Sequence, residues 1–428
     1  MERNSENIEV NNGKRQLLKN NLLMFVGGNI ANGLNYLLNI ILLRIDEPLF
    51  NLYTAYTSAS LILLIPSLAV MRIFTSQGLS LFRNVKDSLV RAKNKAIICL
   101  IVFAVLLIPV NYILTSILEG GTIITSALLI ILAVIGVIAN IFRGLKQNEE
   151  NYTIAVISMN LEAAGRLFLG FIFAVLLGMS INGILLGHIL GFVLSMLICL
   201  DMKYVNFKNI HYTPVKLFPV FSGIMLMTAG LEFFANFDIV YADRVLPNDS
   251  IAQTEFNTLQ VFRKIIFFGV FTVSAVVYSV ANKSDHSKKF VFFFTTLIGL
   301  IAGISLSGGF ILLHSYILGF LDTELTLTSR SLEIYFLFAT TFMSTSYLLS
   351  NWLFTTGKKK YIYLPVFASL LQVLIFIVVG KDFTSLLTAF FSSSLVFFII
   401  AFTAGVYECY STEISRDKRD QKSLSLKS

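Results

Sequence analysis

The chain has 428 residues, of which 56% are hydrophobic and 14% charged, with a mean hydropathy of +0.77 and a formal net charge of +8. So little polar surface cannot cover a water-soluble globule of this size, and lipid is the expected solvent. The gaps between apolar stretches reach only about 22 residues, too few for a soluble nucleotide-binding or catalytic domain, and no Walker, HExxH or GxSxG pattern occurs.

In chain order, residues 1–16 are polar and lead into an apolar stretch without a small-residue cleavage site, so they read as a cytoplasmic tail and not as a secretory signal. A spanning helix needs about 20 apolar residues. Twelve such stretches follow, at 17–43, 52–74, 96–118, 122–142, 152–177, 181–200, 217–242, 257–281, 290–313, 332–354, 361–380 and 384–407. Apolar residues continue through both parities, as in Leu100-Ile101-Val102 and Phe397-Phe398-Ile399-Ile400, whereas a membrane strand alternates. The expected fold class is an all-α polytopic membrane protein.

The first stretch carries Asn29, Asn32, Asn35 and Asn39 at spacings of three or four, one polar stripe that can line a hydrated path or bond neighbouring helices. The second opens on Phe50-Asn51-Leu52-Tyr53 and the eighth on Phe256-Asn257-Thr258-Leu259, 206 positions later. Asn140 and Asn351 close the fourth and tenth stretches at a similar offset. These matches predict two tandem lobes of six helices, 17–200 and 217–407, joined by a cytoplasmic linker at 201–216 and followed by a charged, disordered cytoplasmic tail at 408–428. Two six-helix lobes share one orientation, so the pseudo-two-fold axis relating them runs along the membrane normal, with a central cavity expected between them.

The fourth stretch is followed by a short basic turn bearing Arg143 and Lys146. The fifth carries Glu162 and Arg166, four apart on one face and able to pair, which is by itself as consistent with structure as with function. His188 in the sixth can titrate or simply hydrogen-bond locally. The seventh holds Glu232 and Asp238, candidates to bind a coupling proton or Na⁺, although Asp238 equally suits an interfacial role. Arg263 and Lys264 are adjacent in the eighth, and one of them can snorkel to the headgroups. A charge at the centre of a membrane helix costs about 2.5 to 3.5 kcal/mol, so such residues should face a cavity or one another. Rise per residue puts Arg166, Glu232, Arg263 and Lys264 in one layer. The functional reading is that these cations grip an anionic substrate, arginine by forking onto phosphate oxygens.

Counting Lys19 and Arg72, 26 of the 33 lysines and arginines fall in the two tails and in alternate gaps, whereas the opposite gaps hold only Arg44, Arg244, Arg330 and Lys381. This asymmetry places both termini in the cytoplasm. The positive balance is thus a topology signal, and runs such as Lys358-Lys359-Lys360 read as anchors; no nucleic-acid partner is expected. Cys99, Cys199 and Cys409 show no metal-ligand spacing, and no metal or resident cofactor is expected.

Arg143-Gly144-Leu145-Lys146-Gln147, followed by Glu162, Arg166-Leu167, Gly178 and Gly183 to Gly187, resembles the fourth-to-sixth helix pattern of polysaccharide and O-antigen repeat-unit flippases. These belong to the multidrug/oligosaccharidyl-lipid/polysaccharide (MOP) exporter superfamily. Asn236-Phe237-Asp238-Ile239-Val240, running to Leu246-Pro247, is similar to the family's seventh helix. Val277-Tyr278-Ser279 departs from it, since relatives often carry a proline there. The resemblance implies two MATE-like six-helix lobes working by alternating access. The substrate it implies is an undecaprenyl-diphosphate-linked oligosaccharide, moved from the inner to the outer leaflet of the bacterial cytoplasmic membrane, with a polysaccharide polymerase and a chain-length regulator as partner proteins. It maps diphosphate binding onto the basic residues Arg166, Arg263 and Lys264, and Asn29 and Asn32 of the polar stripe are further candidates to line the substrate cavity. Two alternatives are a cation-coupled multidrug exporter, whose usual carboxylate in the first helix is missing here, and a membrane-embedded repeat-unit polymerase, which usually carries a larger outer loop. The transporter readings make the protein a non-enzyme.

Overall fold

The computed structural model describes residues 2–75, 121–149, 151–200, 217–246, 251–283, 288–355 and 358–425, with parts of 105–118. Every regular element among them is a helix: α1 (Glu2–Ile45), α2 (Glu47–Leu63), α3 (Ile65–Thr75), α4 (Ile123–Asn148), α5 (Tyr152–Ala164), α6 (Ser180–Cys199), α7 (Leu217–Val245), α8 (Ile251–Lys283), α9 (Lys288–Leu321), α10 (Arg330–Thr355), α11 (Tyr363–Val379) and α12 (Phe383–Ser425). Helices satisfy their backbone groups internally, which a segment in lipid requires. Nine of these helices among the described residues are long and apolar enough to span a bilayer, and ten if the bent pair α2 and α3 counts as one. α8, 33 residues long, and the expected stretch 96–118 stand outside that count. The latter lies largely outside the described residues, and its described portions are almost entirely helical.

The single helix expected over 52–74 is two, bent by 52° around Leu64. Pro66, the second residue of α3, is the cause: it has no N–H to give and its ring crowds the carbonyl four residues back. Both ends of the chain also differ from expectation. α1 starts at Glu2, so residues 2–16 of the expected tail continue the first helix, and α12 runs to Ser425, so 408–425, expected to be disordered, are helical. Once a helix is nucleated by its spanning part, each added residue gains a hydrogen bond at little cost, and Lys, Arg, Glu and Gln propagate it well.

α5 continues beyond Ala164 through two wide π turns, Gly165–Leu169 and Ile172–Leu176. Its neighbour α6 presents Gly183, Gly187 and Gly191 at every fourth residue, one face of small side chains that lets two backbones touch. A Cβ on Gly187 would meet the Gly170 nitrogen at 2.3 Å, and one on Gly191 would meet the Glu162 carbonyl at 2.6 Å. Gly187→Val is therefore expected to force α5 and α6 apart and cost about 3 kcal/mol by overpacking, read as a fall in the unfolding temperature of detergent-solubilised protein. Unchanged melting would mean that the contact is not close.

By compactness the chain divides into Met1–Asn257 with Phe320–Glu324, and Thr258–Gly319 with Leu325–Ser428. The expected linker at 201–216 lies outside the described residues. Within the first unit α7 packs on α2 and α3, α1 on α5, and α4 on α3 and α6. The second is built on α10 and α11 against α12, around Phe292, Trp352, Phe402, Phe398, Phe342 and Phe391 in mutual ring contact. On α12, the fully buried Glu408 receives Lys358 Nζ at 2.7 Å and the Tyr361 hydroxyl at 2.8 Å, which ties the start of α11 to α12.

Candidate functional site

The first unit contains a buried polar network built from α3, α4, α5 and α6. α4 does not stop at residue 142 but extends to Asn148, held at its start by a capping box between Thr122 and Thr125. Arg143 is consequently a helical residue and not part of a basic turn, and it is buried. Its guanidinium donates to Ser158 Oγ at 3.0 Å, Asn140 Oδ1 at 2.9 Å, Ser195 Oγ at 2.7 Å and Glu162 Oε2 at 2.6 Å. Asn140 in turn donates to Ser67 on α3 at 2.7 Å, and Ser158 and Ser195 bond to each other at 2.6 Å. Four of the five donors of Arg143 are thereby matched, the arrangement a desolvated charge needs.

The expected ion pair of Glu162 with Arg166 is present, but it is the longer of two. The carboxylate's close partner is Arg143, while Arg166 Nη2 stands 3.7 Å from Glu162 Oε1, beyond hydrogen-bond range. Arg166, on the first π turn, instead donates to the Nε2 of His188. The ring of His188 is stacked on Phe192 at 4.9 Å and lies 3.5 Å from Glu162. Tyr53 of α2 adds its hydroxyl beside Arg166. The Nε–H of Arg166 is buried with no acceptor.

Two guanidiniums thus share one carboxylate, so Arg143, Glu162 and Arg166 together carry one net positive charge. Both nitrogens of Arg143 that face the network and its Nε–H are bonded, whereas the Nε–H of Arg166 is not. A buried donor without an acceptor is the kind of exception that calls for an explanation, and a phosphate oxygen is a natural acceptor for an arginine fork.

The other expected residues are placed as follows. Asn29 and Asn32 are half-buried on α1, the helix that packs along α5 and its first π turn. Farther along, Asn39 donates to the Asn35 carbonyl at 3.1 Å, and the side-chain oxygen of Asn35 is buried without a partner. From the α5 side, Asn160 donates to the Gly27 carbonyl at 3.1 Å. Glu232 and Asp238 lie on α7, the first half-buried and the second fully buried. Arg263 and Lys264 belong to the second unit. There Arg263 is 1% exposed with its guanidinium carbon 5.0 Å from the Phe390 ring centroid, and Lys264 is half-buried. α8 begins at Ile251, six residues earlier than expected, so Arg263 sits roughly 18 Å along it instead of 10 Å.

Sequence reasoning gave Arg143 to a turn and passed over Asn140 as a polar end, Ser158 and Ser195. The available signal was the periodicity of α4, which runs unbroken through Arg143 to Gln147, with no helix stop at Asn140.

No protein-family model matches the chain, and no curated protein sequence does. Solved structures do. An inward-facing multidrug resistance MATE family transporter of the MOP superfamily superposes with a TM-score of 0.65 at 13% identity over 93% of this chain and 98% of that one. The outward-facing conformation of such a transporter gives 0.63 at 14% identity over 94% and 96%, and a MATE protein in a bent conformation gives 0.60 at 15% over 94% and 96%. The chain has the MATE fold. Nearly full coverage on both sides means that the fold accounts for almost the entire chain.

Proposed function

We propose that this protein is a membrane carrier that moves an undecaprenyl-diphosphate-linked oligosaccharide from the inner to the outer leaflet of the bacterial cytoplasmic membrane by alternating access, with both termini cytoplasmic. The observation that carries this reading is the charge balance of the buried cluster: Arg143 and Arg166 share the single carboxylate of Glu162, and Arg166 keeps an unused Nε–H. An anionic diphosphate supplies the missing acceptors. In this reading Asn29 and Asn32 face the sugar or its water, and Arg263 and Lys264 are the second unit's candidates for meeting the anion. The polyprenyl tail stays in lipid. The resemblance of residues 143–187 to repeat-unit flippases points the same way. A polymerase and a chain-length regulator are the partners such a carrier would feed.

A fold alone does not set a substrate. Multidrug export is the second reading, because the matched structures are described as multidrug transporters; there Glu232 or Asp238 would take the coupling proton or Na⁺. The two readings separate in a deletion strain. Flipping predicts that the lipid-linked repeat unit accumulates facing the cytoplasm and that surface glycan falls, whereas drug export predicts unchanged glycan and increased drug sensitivity. Unchanged glycan would remove the flippase reading.

A further inference from the structure

Lys358 and Lys360, two residues apart ahead of α11, meet different surroundings. Lys358 is taken up by the buried Glu408 at 2.7 Å, and the Tyr361 hydroxyl donates to the same carboxylate. That charge is balanced inside the protein. Lys360 lies in the short 3-10 turn Lys359–Ile362 and is exposed, its Nζ 4.4 Å from the ring centroid of Tyr407 and 4.8 Å from that of Tyr361. Among the described residues it meets these two rings and no carboxylate.

Lys289, in the first turn of α9, also stands over a ring, its Nζ 4.8 Å from the centroid of Tyr410. Tyr407 and Tyr410 are three residues apart on α12 and hence neighbours on its surface, where they are 60% and 50% exposed. α12 packs on α9 through Phe402 against Phe292 and Phe293, and its Glu408 holds the entry to α11. Two cations from different helices are thereby gathered at one end of the second unit, each steadied over aromatic rings.

The surface beyond the lysines indicates what they meet. In steps of four from Lys289, α9 exposes Phe293, Leu297 and Ile301, and α11 exposes Phe367, Leu370 and Leu374 at helical spacing. Each cation stands at the head of an apolar face. A free phosphate ion has no use for such a face, whereas the acyl chains of a phospholipid begin close to its phosphate and need one.

We propose that Lys289, Lys360, Tyr407 and Tyr410 form a binding site for the phosphate of an anionic phospholipid whose acyl chains lie along α9 and α11. The proposal rests on the chain spanning a membrane and not on the identity of its cargo. Two ammonium groups favour a headgroup with net negative charge over a zwitterion, whose own cation they repel. The phenol hydroxyls of Tyr407 and Tyr410 are further donors for the phosphate oxygens.

Trp352 makes the site measurable. It is the chain's one tryptophan, and its ring lies 5.1 Å from that of Phe292, one turn beyond Lys289. The full-length protein is reconstituted in phosphatidylcholine vesicles, and its fluorescence is followed as phosphatidylglycerol with brominated, quenching acyl chains replaces part of the bilayer. Brominated phosphatidylcholine is the reference. Phosphatidylglycerol is expected to be preferred about thirtyfold, the weight of two lysines at a membrane surface. Lys360→Gln should cut the preference about fivefold, Lys360→Arg should keep it, and Lys289→Gln with Lys360→Gln should abolish it, with quenching by phosphatidylcholine unchanged throughout. Lys360 is exposed, so the single variant keeps the test decisive should the double one fail to fold. Equal quenching by the two lipids in the unsubstituted protein, or a preference that survives Lys360→Gln undiminished, overturns the proposal. Inorganic phosphate should relieve no more quenching than chloride at equal ionic strength; greater relief would assign the site to a free anion and overturn it as well. No outcome bears on the flippase reading, which the deletion strain tests.

Discussion

Arg143→Ala is expected to destabilise the protein by about 3 to 5 kcal/mol, because it strands the Glu162 carboxylate in a buried site without its close partner. The substitution also removes donors from Asn140, Ser158 and Ser195 at once. Thermal unfolding in detergent measures the loss. Adding Glu162→Gln to the same chain should restore most of it, since a neutral amide no longer needs a counter-charge. A small loss in the single variant would mean that Arg166 swings the remaining distance from 3.7 Å and takes over the carboxylate. That result would cancel the argument that Arg166 is kept free.

Arg166→Ala is expected to have the opposite profile: near-normal protein level with transport reduced tenfold or more, in line with the roughly 1.5 to 3 kcal/mol of a hydrogen bond to a charged group. Restoration of surface glycan in the deletion strain is the readout, normalised to membrane-inserted protein. Arg166→Lys keeps the charge but loses the fork, so it should recover only part of the activity. Arg263→Ala tests the second unit's contribution in the same assay, although loss of its packing against Phe390 should also lower stability. Full complementation by both alanine variants would sink the anion grip.

These two arginines show where sequence and structure part. Hydropathy alone located eleven of the twelve expected stretches as helices in the described residues, because a helix in lipid must be apolar along its length and closed in its hydrogen bonds. The offset between Asn51 and Asn257 was equally legible, as was the buried charge on α5. The bend at Leu64 was signalled by Pro66, and the extent of α4 by its periodicity. The closer partner of Glu162 was not legible. Spacing of four makes Glu162 and Arg166 neighbours, and they stand 3.7 Å apart as an ion pair, but nothing along α5 records the nearer approach of Arg143 from α4.

The sequence by itself determined that the chain is a bundle of membrane helices, with ionised groups at positions where lipid would not tolerate them. Hydrophobic length and local spacing suffice for that, since both are properties of single segments. Which charge neutralises which was decided only in three dimensions. Arg143 reaches Glu162 from another helix because glycines on α6 let the α5 backbone come close, and Asn257 at the start of α8 meets Asn51 on α2. Those outcomes depend on distances between helices far apart in the chain, and no periodicity within one helix records them.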